Sequence, residues 1–440
     1  MPINIAAAIE QAGVAGAGGA MFPTHVKAKS RAEIAIANGA ECEPLLASDR
    51  VVMENLAHEV VKGLDLMQKS TGARKGIVAV KAKNKSALET IRNVASRYGD
   101  KEVFPLDDVY PAGDEHVLTY EVTGRVVPPG GIPIQVGVVV NNVTTLLQVS
   151  RALDGKVFTS RFVTVCGDVP IPKTLSFPLG TPVREALRVC GLTKTDDIDV
   201  IIGGPIMGYV PRTLDEPLTK GTAGIVVLRK DHILVAKKKV SSSIEVLRGN
   251  SACDQCFDCT ELCPRYLLGH DIYPHKIMRT VSLLIDTAVD EITSALLCSE
   301  CGICGLYACP QLLRPEVVNK KIKQELLKKG LRHDSRGISE EQKSLRDGRR
   351  IPMARMKARL GLESYSPPDM FDLRVLEVER VSIPLSQHTG VPSVPIVSVG
   401  QRVNEGQLIA RIPDGKLGAN IHASISGVVE SVNGAITIRG

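Results

Sequence analysis

The sequence contains no tryptophan, and aromatic residues make up only 3% of its 440 residues. Proteins that grip single-stranded nucleic acid by stacking bases on aromatic rings have little material here. Excess charge is also scarce. The 54 Lys and Arg stand against 48 Asp and Glu, a formal net charge of +6, and no nucleic-acid partner is expected from so mild a balance. No apolar run approaches the roughly 20 residues that a membrane-spanning helix needs. The opening stretch from Met1 to Val26 is apolar and small, but it has no Lys or Arg before Lys27 and is broken by Glu10 and Gln11. It therefore lacks the charged start of a secretory signal. A soluble, cytoplasmic protein is expected, with no membrane span.

Cysteine is plentiful by contrast, with 11 residues. Eight of them fall in two tight groups. The first reads Cys253, Cys256, Cys259, Cys263, Pro264, the C-x2-C-x2-C-x3-C-P run of bacterial ferredoxins. The second reads Cys298, Cys301, Cys304, Cys309, Pro310, one residue longer in its last gap. Three thiolates spaced by two residues can wrap three iron corners of a cuboidal cluster from one short loop, and the fourth must come from elsewhere. In two-cluster ferredoxins the Cys before the proline crosses to the other cluster. Cys263 is thus expected to complete the set that starts at Cys298, and Cys309 the set that starts at Cys253. Structural zinc more often uses two C-x2-C pairs or mixed Cys and His. Disulfides do not suit a chain without a secretory signal. Two 4Fe–4S clusters are the expected occupants. Of the remaining cysteines, Cys166 and Cys190 read as small buried apolar residues.

Residues from about Ile5 to Val149 alternate strand and helix patterns, as an α/β layer fold should. Strands are expected at Glu33 to Ala40, Gly76 to Lys83, Lys101 to Leu106 and Val136 to Val143, with helices at Asn55 to Met67 and Ser86 to Arg97. The opening helix runs into Gly13, Gly16, Gly18 and Gly19, a loop that lets backbone amides approach an anion. Polar turns gather at strand ends: Asn38 to Pro44, Tyr110 to Glu115, and Asn141 to Thr145. In open α/β sheets ligands bind beyond the carboxyl ends of the strands, so these turns read as one site.

The segments Gly16 to Thr24, Asn38 to Pro44, Tyr110 to Glu115 and Asn141 to Thr145 resemble the flavin mononucleotide (FMN) and NADH site of the complex I flavoprotein subunit. They are closer to the Rnf complex C subunit, and closer still to cobalamin reductases of propanediol-utilisation microcompartments, the PduS type, with which the chain shares its order of domains. The resemblance implies that Gly16, Gly18 and Lys27 hold the flavin phosphate and ring region, and that Asn38 and Glu41 bond the flavin. It further implies that Glu43 and Glu115, with Gly113 between, lie near flavin and nicotinamide as catalytic carboxylates, and that Asn141, Asn142 and Thr144 close the site. Met21 departs from the family, which usually has glycine there. If the position needs positive φ, methionine costs on the order of 1 kcal/mol or blocks the ring.

The expected architecture is a multidomain α/β chain: an FMN/NADH domain over 1–155, an SLBB-like β-grasp domain over 156–235, a ferredoxin-like double-cluster module over 245–335, a basic linker over 336–372 and a barrel-sandwich hybrid over 373–440. In the second unit, strands are expected at Phe162 to Cys166, Thr174 to Phe177, Val200 to Ile202 and Gly224 to Leu228, and a helix at Val183 to Cys190. The loop Gly203 to Gly208 reads as a structural turn. Lys237 to Lys239 and Ser241 to Ser243 read as a polar linker. The basic run after Pro315 reads as a solvated face or a docking patch for an acidic redox partner. Lys416 falls where a carrier lysine would, but without the sequence around a modified lysine.

A flavin pocket and two clusters in one chain imply a wire from NADH through FMN and the clusters to an acceptor. The resemblance implies cob(III)alamin or cob(II)alamin as acceptor, with an adenosyltransferase or another protein redox partner and microcompartment shell proteins as associates. No Asp-x-His-x-x-Gly stretch occurs, so cobalamin would be a transient substrate. Two alternatives stay open: an Rnf-like NADH:ferredoxin subunit, and a flavin-free iron–sulfur carrier or scaffold.

Overall fold

The computed structural model describes residues 4–283, 289–333 and 341–440. Its first sheet contains strands β1 (Ile34–Gly39), β2 (Lys75–Lys81), β3 (Lys101–Leu106) and β5 (Val138–Asn142), while the short β4 (Val109–Tyr110) lies outside it. The order is β3-β2-β1-β5 and every pairing is parallel. Strands β1, β2 and β5 carry Val, Ile and Ala runs because both faces are covered, while the edge strand β3 holds Lys, Glu and Pro and is partly exposed. The helices Ala57–Thr71 and Val143–Leu153 pack against one face. The helix Glu115–Thr123 contributes Leu118 to the other, against Ile36, Ala79 and Val140. The chain walks from β1 to β3 in one direction, then returns to the far side of β1. That reversal between β1 and β5 opens a crevice beyond their carboxyl ends.

The second sheet uses β6 (Ser160–Gly167), β7 (Lys173–Pro178), β8 (Ile198–Ile202) and β9 (Gly224–Arg229), with the helix Val183–Val189 on one face. Here β6 and β9 run parallel side by side, and each is flanked by an antiparallel neighbour. Strand β11 (Phe371–Val375) joins this sheet from far along the chain, parallel to β7.

The stretch around Lys237 and Ser241, expected as a polar linker, is instead two helices, Ile233–Lys239 and Ser242–Ala252. Leu234 and Val235 are buried and supply the apolar face that periodicity concealed beneath the lysines. The region expected as a basic linker is described from Glu341 onward. There β10 (Ile351–Pro352) pairs with β4, and the helix Met353–Arg359 buries Met353 and Met356. The basic helix Pro315–Lys328 lies against the second cysteine loop.

The last seven strands are β12 (Arg380–Pro384), β13 (Val394–Pro395), β14 (Arg402–Val403), β15 (Leu408–Arg411), β16 (Ile421–His422), β17 (Gly427–Val432) and β18 (Ala435–Arg439). They form two small sheets around Val381, Ile383, Ile409, Val429 and Ile438. Lys416 sits in an exposed turn between β15 and β16. Among the described residues no helix is long and apolar enough to cross a membrane.

Candidate functional site

The crevice at the ends of β1 and β5 gathers several of the expected flavin residues. Ala17 N–H donates to Thr145 Oγ1 at 2.8 Å, which pins the glycine-rich loop to the start of the helix Val143–Leu153. Gly16 N–H donates to the Phe22 carbonyl at 2.8 Å, and Gly18 lies against the side chain of Asn142. Asn142 caps the same helix through Thr144 N–H and donates to Asp49 at 2.7 Å, and Thr144 Oγ1 donates to the other Asp49 oxygen at 2.9 Å. Lys27 Nζ donates to Glu115 at 2.8 Å and to the Val140 carbonyl at 2.8 Å. Asn38 donates to the Gly113 carbonyl at 2.8 Å, while Gly113 N–H donates to Cys42 Sγ at 2.7 Å. Asn141 is 4% exposed, and its side-chain amide nitrogen has no partner. A buried donor left unpaired at a strand's carboxyl end is a place for a ligand acceptor. With the glycine loop and the partly exposed Lys27 and Glu115 at its rim, the crevice fits a flavin phosphate and ring.

The carboxylates expected around the flavin are held by separate partners. Glu41 turns to the helix Ser48–Asn55, accepting from Asp49 N–H at 2.8 Å and Arg50 N–H at 3.1 Å. Burial, then the Asp49 carboxylate, pushes its acid up to about 7 despite those bonds. Glu43 leaves the crevice for the second sheet's loop, accepting from Ile206 N–H at 2.7 Å and Met207 N–H at 2.6 Å. A Cβ at Gly204 would overlap the Glu43 side chain, so any larger residue there would displace the carboxylate. The same loop is gripped by Lys238, which donates to the Ile206 carbonyl at 2.9 Å and the Gly208 carbonyl at 2.5 Å. Burial lowers Lys238 to about 8, and Glu43 opposes that shift. The contacts of loop 203–208 with Glu43 and Lys238 escape motif reading, because a Gly-Pro turn and a lysine run signal nothing beyond themselves.

Met21 adopts φ 48°, so the position does need the left-handed conformation that glycine favours. Its side chain packs toward Gly221 of the second unit, where a Cβ would stand 2.6 Å from the Met21 sulfur, and its carbonyl accepts from Thr389 N–H of the C-terminal unit at 2.9 Å.

The two cysteine loops repeat one backbone conformation. The second and fourth residues after the first Cys have positive φ in both, Gln255 and Phe257 in one, Glu300 and Gly302 in the other. The longer last gap of the second group is absorbed by a wide helical turn over Cys304–Ala308, closed by Cys309 N–H on the Cys304 carbonyl at 3.1 Å. Cys263, Cys298, Cys301 and Cys304 line one small cavity. Cys309 packs in the cluster of side chains that contains Cys253, and the electrostatic neighbours of Cys259 are led by Cys309 and Cys253. Each Cys before a proline thus lies with the other loop's triple. Among the described residues no three Cys, His, Asp or Glu side chains converge closely enough to hold one ion. The sulfurs surround a space, which suits a cuboidal cluster better than a single tetrahedral ion. Burial pushes up the thiols of Cys263, Cys301 and Cys304. Two further groups meet this cavity. Glu316 lies 3.8 Å from Cys304 Sγ and pairs with Arg314, and Lys323 donates to the Cys298 carbonyl at 2.6 Å.

The flavin crevice and this cavity share a wall. Tyr110 Oη donates to the Cys301 carbonyl at 2.6 Å. Arg265, two residues after Cys263, donates to both oxygens of Asp114 at 2.7 and 3.0 Å. Burial would raise the Asp114 acid, but Arg265 and two backbone N–H groups hold it below its ordinary value. Arg265 also faces His116 and His270, which burial drives down to about 3 and about 4, so both rings are neutral.

Comparison with known proteins agrees with this division. Residues 9–151 match the family described as the Nuo51 FMN-binding domain, residues 252–314 the 4Fe–4S dicluster domain, and residues 374–439 the RnfC barrel-sandwich hybrid domain. The chain is 39% identical over 98% of its length to the cobalamin reductase PduS of Salmonella typhimurium, covering 95% of that protein. It is 37% identical to the Citrobacter freundii protein of the same name, covering 96% of this chain and 93% of that one. It is 36% identical over 58% of its length to the C subunit of the Na(+)-translocating ferredoxin:NAD(+) oxidoreductase complex of Acetobacterium woodii, covering 56% of that protein. With an FMN-binding domain, a dicluster domain and near full-length identity of this order, the chain belongs to the family of PduS-type cobalamin reductases.

Proposed function

We propose that this protein is an NADH-dependent flavin and iron–sulfur reductase whose acceptor is cob(III)alamin or cob(II)alamin. The observation that carries the reading is the shared wall: Tyr110 and Asp114 of the flavin crevice are bonded to Cys301 and Arg265 of the cluster module. FMN supplies the conversion between the two-electron hydride chemistry of NADH and single-electron transfer. Iron–sulfur clusters take single electrons, at potentials that span roughly −700 to +450 mV. Gly16, Gly18, Lys27, Asn38, Gly113, Asn141, Asn142 and Thr144 are the residues that would seat the flavin. Lys27 and Glu115 guard its mouth, where nicotinamide must enter. Glu41 and Glu43 act as carboxylates that fix the strand-end backbone, Glu43 by joining it to loop 203–208.

The 160–229 unit is a β-grasp domain of the soluble ligand-binding kind in this reading. Its adjacent parallel β6 and β9, crossed by one helix, support that. Its work is to brace Glu43 rather than to bind a ligand of its own. Cobalamin acts as a transient substrate, delivered to or from an adenosyltransferase inside a microcompartment.

The test is anoxic reduction of cob(III)alamin by NADH, followed by its absorbance. Wild-type protein reconstituted with iron, sulfide and FMN is expected to produce cob(II)alamin, and Cys301→Ala to lose that activity. Ferredoxin reduced in place of cobalamin would favour the Rnf-like reading. Clusters that load without flavin and accept electrons only from a protein donor would favour the carrier.

A further inference from the structure

We infer that the two cysteine sets stand in series. Cys263, Cys298, Cys301 and Cys304 form an interior station beside the flavin crevice; Cys253, Cys256, Cys259 and Cys309 form a surface station from which the acceptor draws electrons. The inference rests on the reductase reading above and adds the order of travel within it.

Two hydrogen-bonded contacts tie the flavin crevice to the interior set. Tyr110 bonds the Cys301 carbonyl, and Asp114 takes Arg265 next to Cys263. The loop that holds Glu43 reaches the same place: a Cβ at Gly302 would stand 3.1 Å from the side chain of Ile206. All four interior cysteines are buried, whereas in the other set Cys259 and Cys309 are buried, Cys253 is half-buried and Cys256 is exposed.

The equivalent position in the other loop shows the opposite environment. Where the interior loop has Gly302 under Ile206, the surface loop has Phe257, strained at φ 69° and 50% exposed, with Cys256 exposed beside it. An aromatic side chain in the left-handed region carries strain that glycine would avoid. Phe257 packs edge-on against His275 of its own module, with ring centroids 4.4 Å apart, and Asp254 and Gln311 pair with each other at 3.1 Å in the open.

The electron balance closes without a further reactant. NADH leaves as NAD+ and a proton, giving up two electrons. Two stations in series can hold one electron each, and a one-electron acceptor at the surface station removes them in turn.

The order can be read without flavin or NADH. Full-length protein reconstituted with iron and sulfide is treated anoxically with bathophenanthroline disulfonate until half of its iron is lost. Free thiols are then alkylated and located by peptide mass spectrometry. The expected result is label on Cys253, Cys256, Cys259 and Cys309, several-fold above the other four. Label first on the interior four, or equal label on both sets, overturns the order. So does Cys263 labelled together with Cys253, Cys256 and Cys259.

A kinetic arm uses Cys256→Ser and Cys301→Ser, each reloaded and mixed with NADH. Cys256→Ser is expected to keep rapid bleaching of its remaining interior cluster, and Cys301→Ser to bleach its surface cluster orders of magnitude more slowly; the reverse pattern overturns the inference. Wild-type protein that NADH does not bleach at all would instead defeat the reductase reading, and the labelling pattern would still decide the order.

Discussion

At the scale of the residue, the site is built from buried polar groups whose neighbours are close enough to dictate them. Gly204 has the carboxyl of Glu43 where its side chain would be. Gly204→Ala should push Glu43 off Ile206 and Met207 and cost about 1–3 kcal/mol, seen as a lower thermal midpoint together with slower NADH oxidation. Met21 carries the strain of φ 48° but turns its side chain to Gly221. Met21→Gly should therefore leave flavin affinity, measured by equilibrium dialysis, essentially unchanged. A large gain would mean that the thioether competes with the ring. Glu41 has its acid raised to about 7 from 4.5. Between those values the folded state binds the proton more tightly than the unfolded chain, so this group's contribution to stability falls as pH rises from about 4.5 to about 7. Glu41→Gln keeps an acceptor for the helix terminus and should flatten that fall, measured as thermal midpoints at pH 5 and pH 7.5.

At the scale of the element, the bidentate pair of Asp114 and Arg265 ties the helix Glu115–Thr123 to the helix Pro264–Leu267. Removing one partner of a buried pair leaves the other charge uncompensated, at about 3–5 kcal/mol. Arg265→Met alone should thus destabilise far more than Arg265→Met combined with Asp114→Asn, a non-additivity that a double-mutant cycle reads directly. Strands β1, β2 and β5 were legible because short Val, Ile and Ala runs ending in turn formers have little else to be; β3, expected at Lys101 to Leu106, has those bounds on a more mixed sequence. The helix Ile233–Lys239 was not legible, since three lysines outweigh the two buried positions Leu234 and Val235 in any reading of polarity. For the same reason Met353 and Met356 hide in a basic run. Met356→Ala should cost about 2–5 kcal/mol, as truncation of a fully buried side chain does. The cysteine sets were legible from spacing alone, but their shared wall with the flavin crevice was not, because Tyr110 and Cys301 meet across 191 residues of sequence.

At the scale of the whole molecule, the three units that do not hold clusters converge on one junction. Among the described residues Lys220 is buried there without a carboxylate, donating to the Gly13 carbonyl at 2.7 Å and the Asn420 carbonyl at 2.9 Å, and burial lowers it to about 7. Arg161 donates to the Ala17 carbonyl of the glycine loop at 2.7 Å, and Thr389 closes on Ala20 and Met21. The second and C-terminal units thereby fix the flavin loop from behind while the cluster module meets the crevice from the other side. The most direct measurement is an anoxic NADH titration of protein reconstituted with iron, sulfide and FMN, with metal and flavin counted on the same sample. The expected result is one flavin and two four-iron clusters per chain, all bleached by NADH. A chain that loads zinc in their place, or whose clusters stay oxidised while its flavin is reduced, would contradict it.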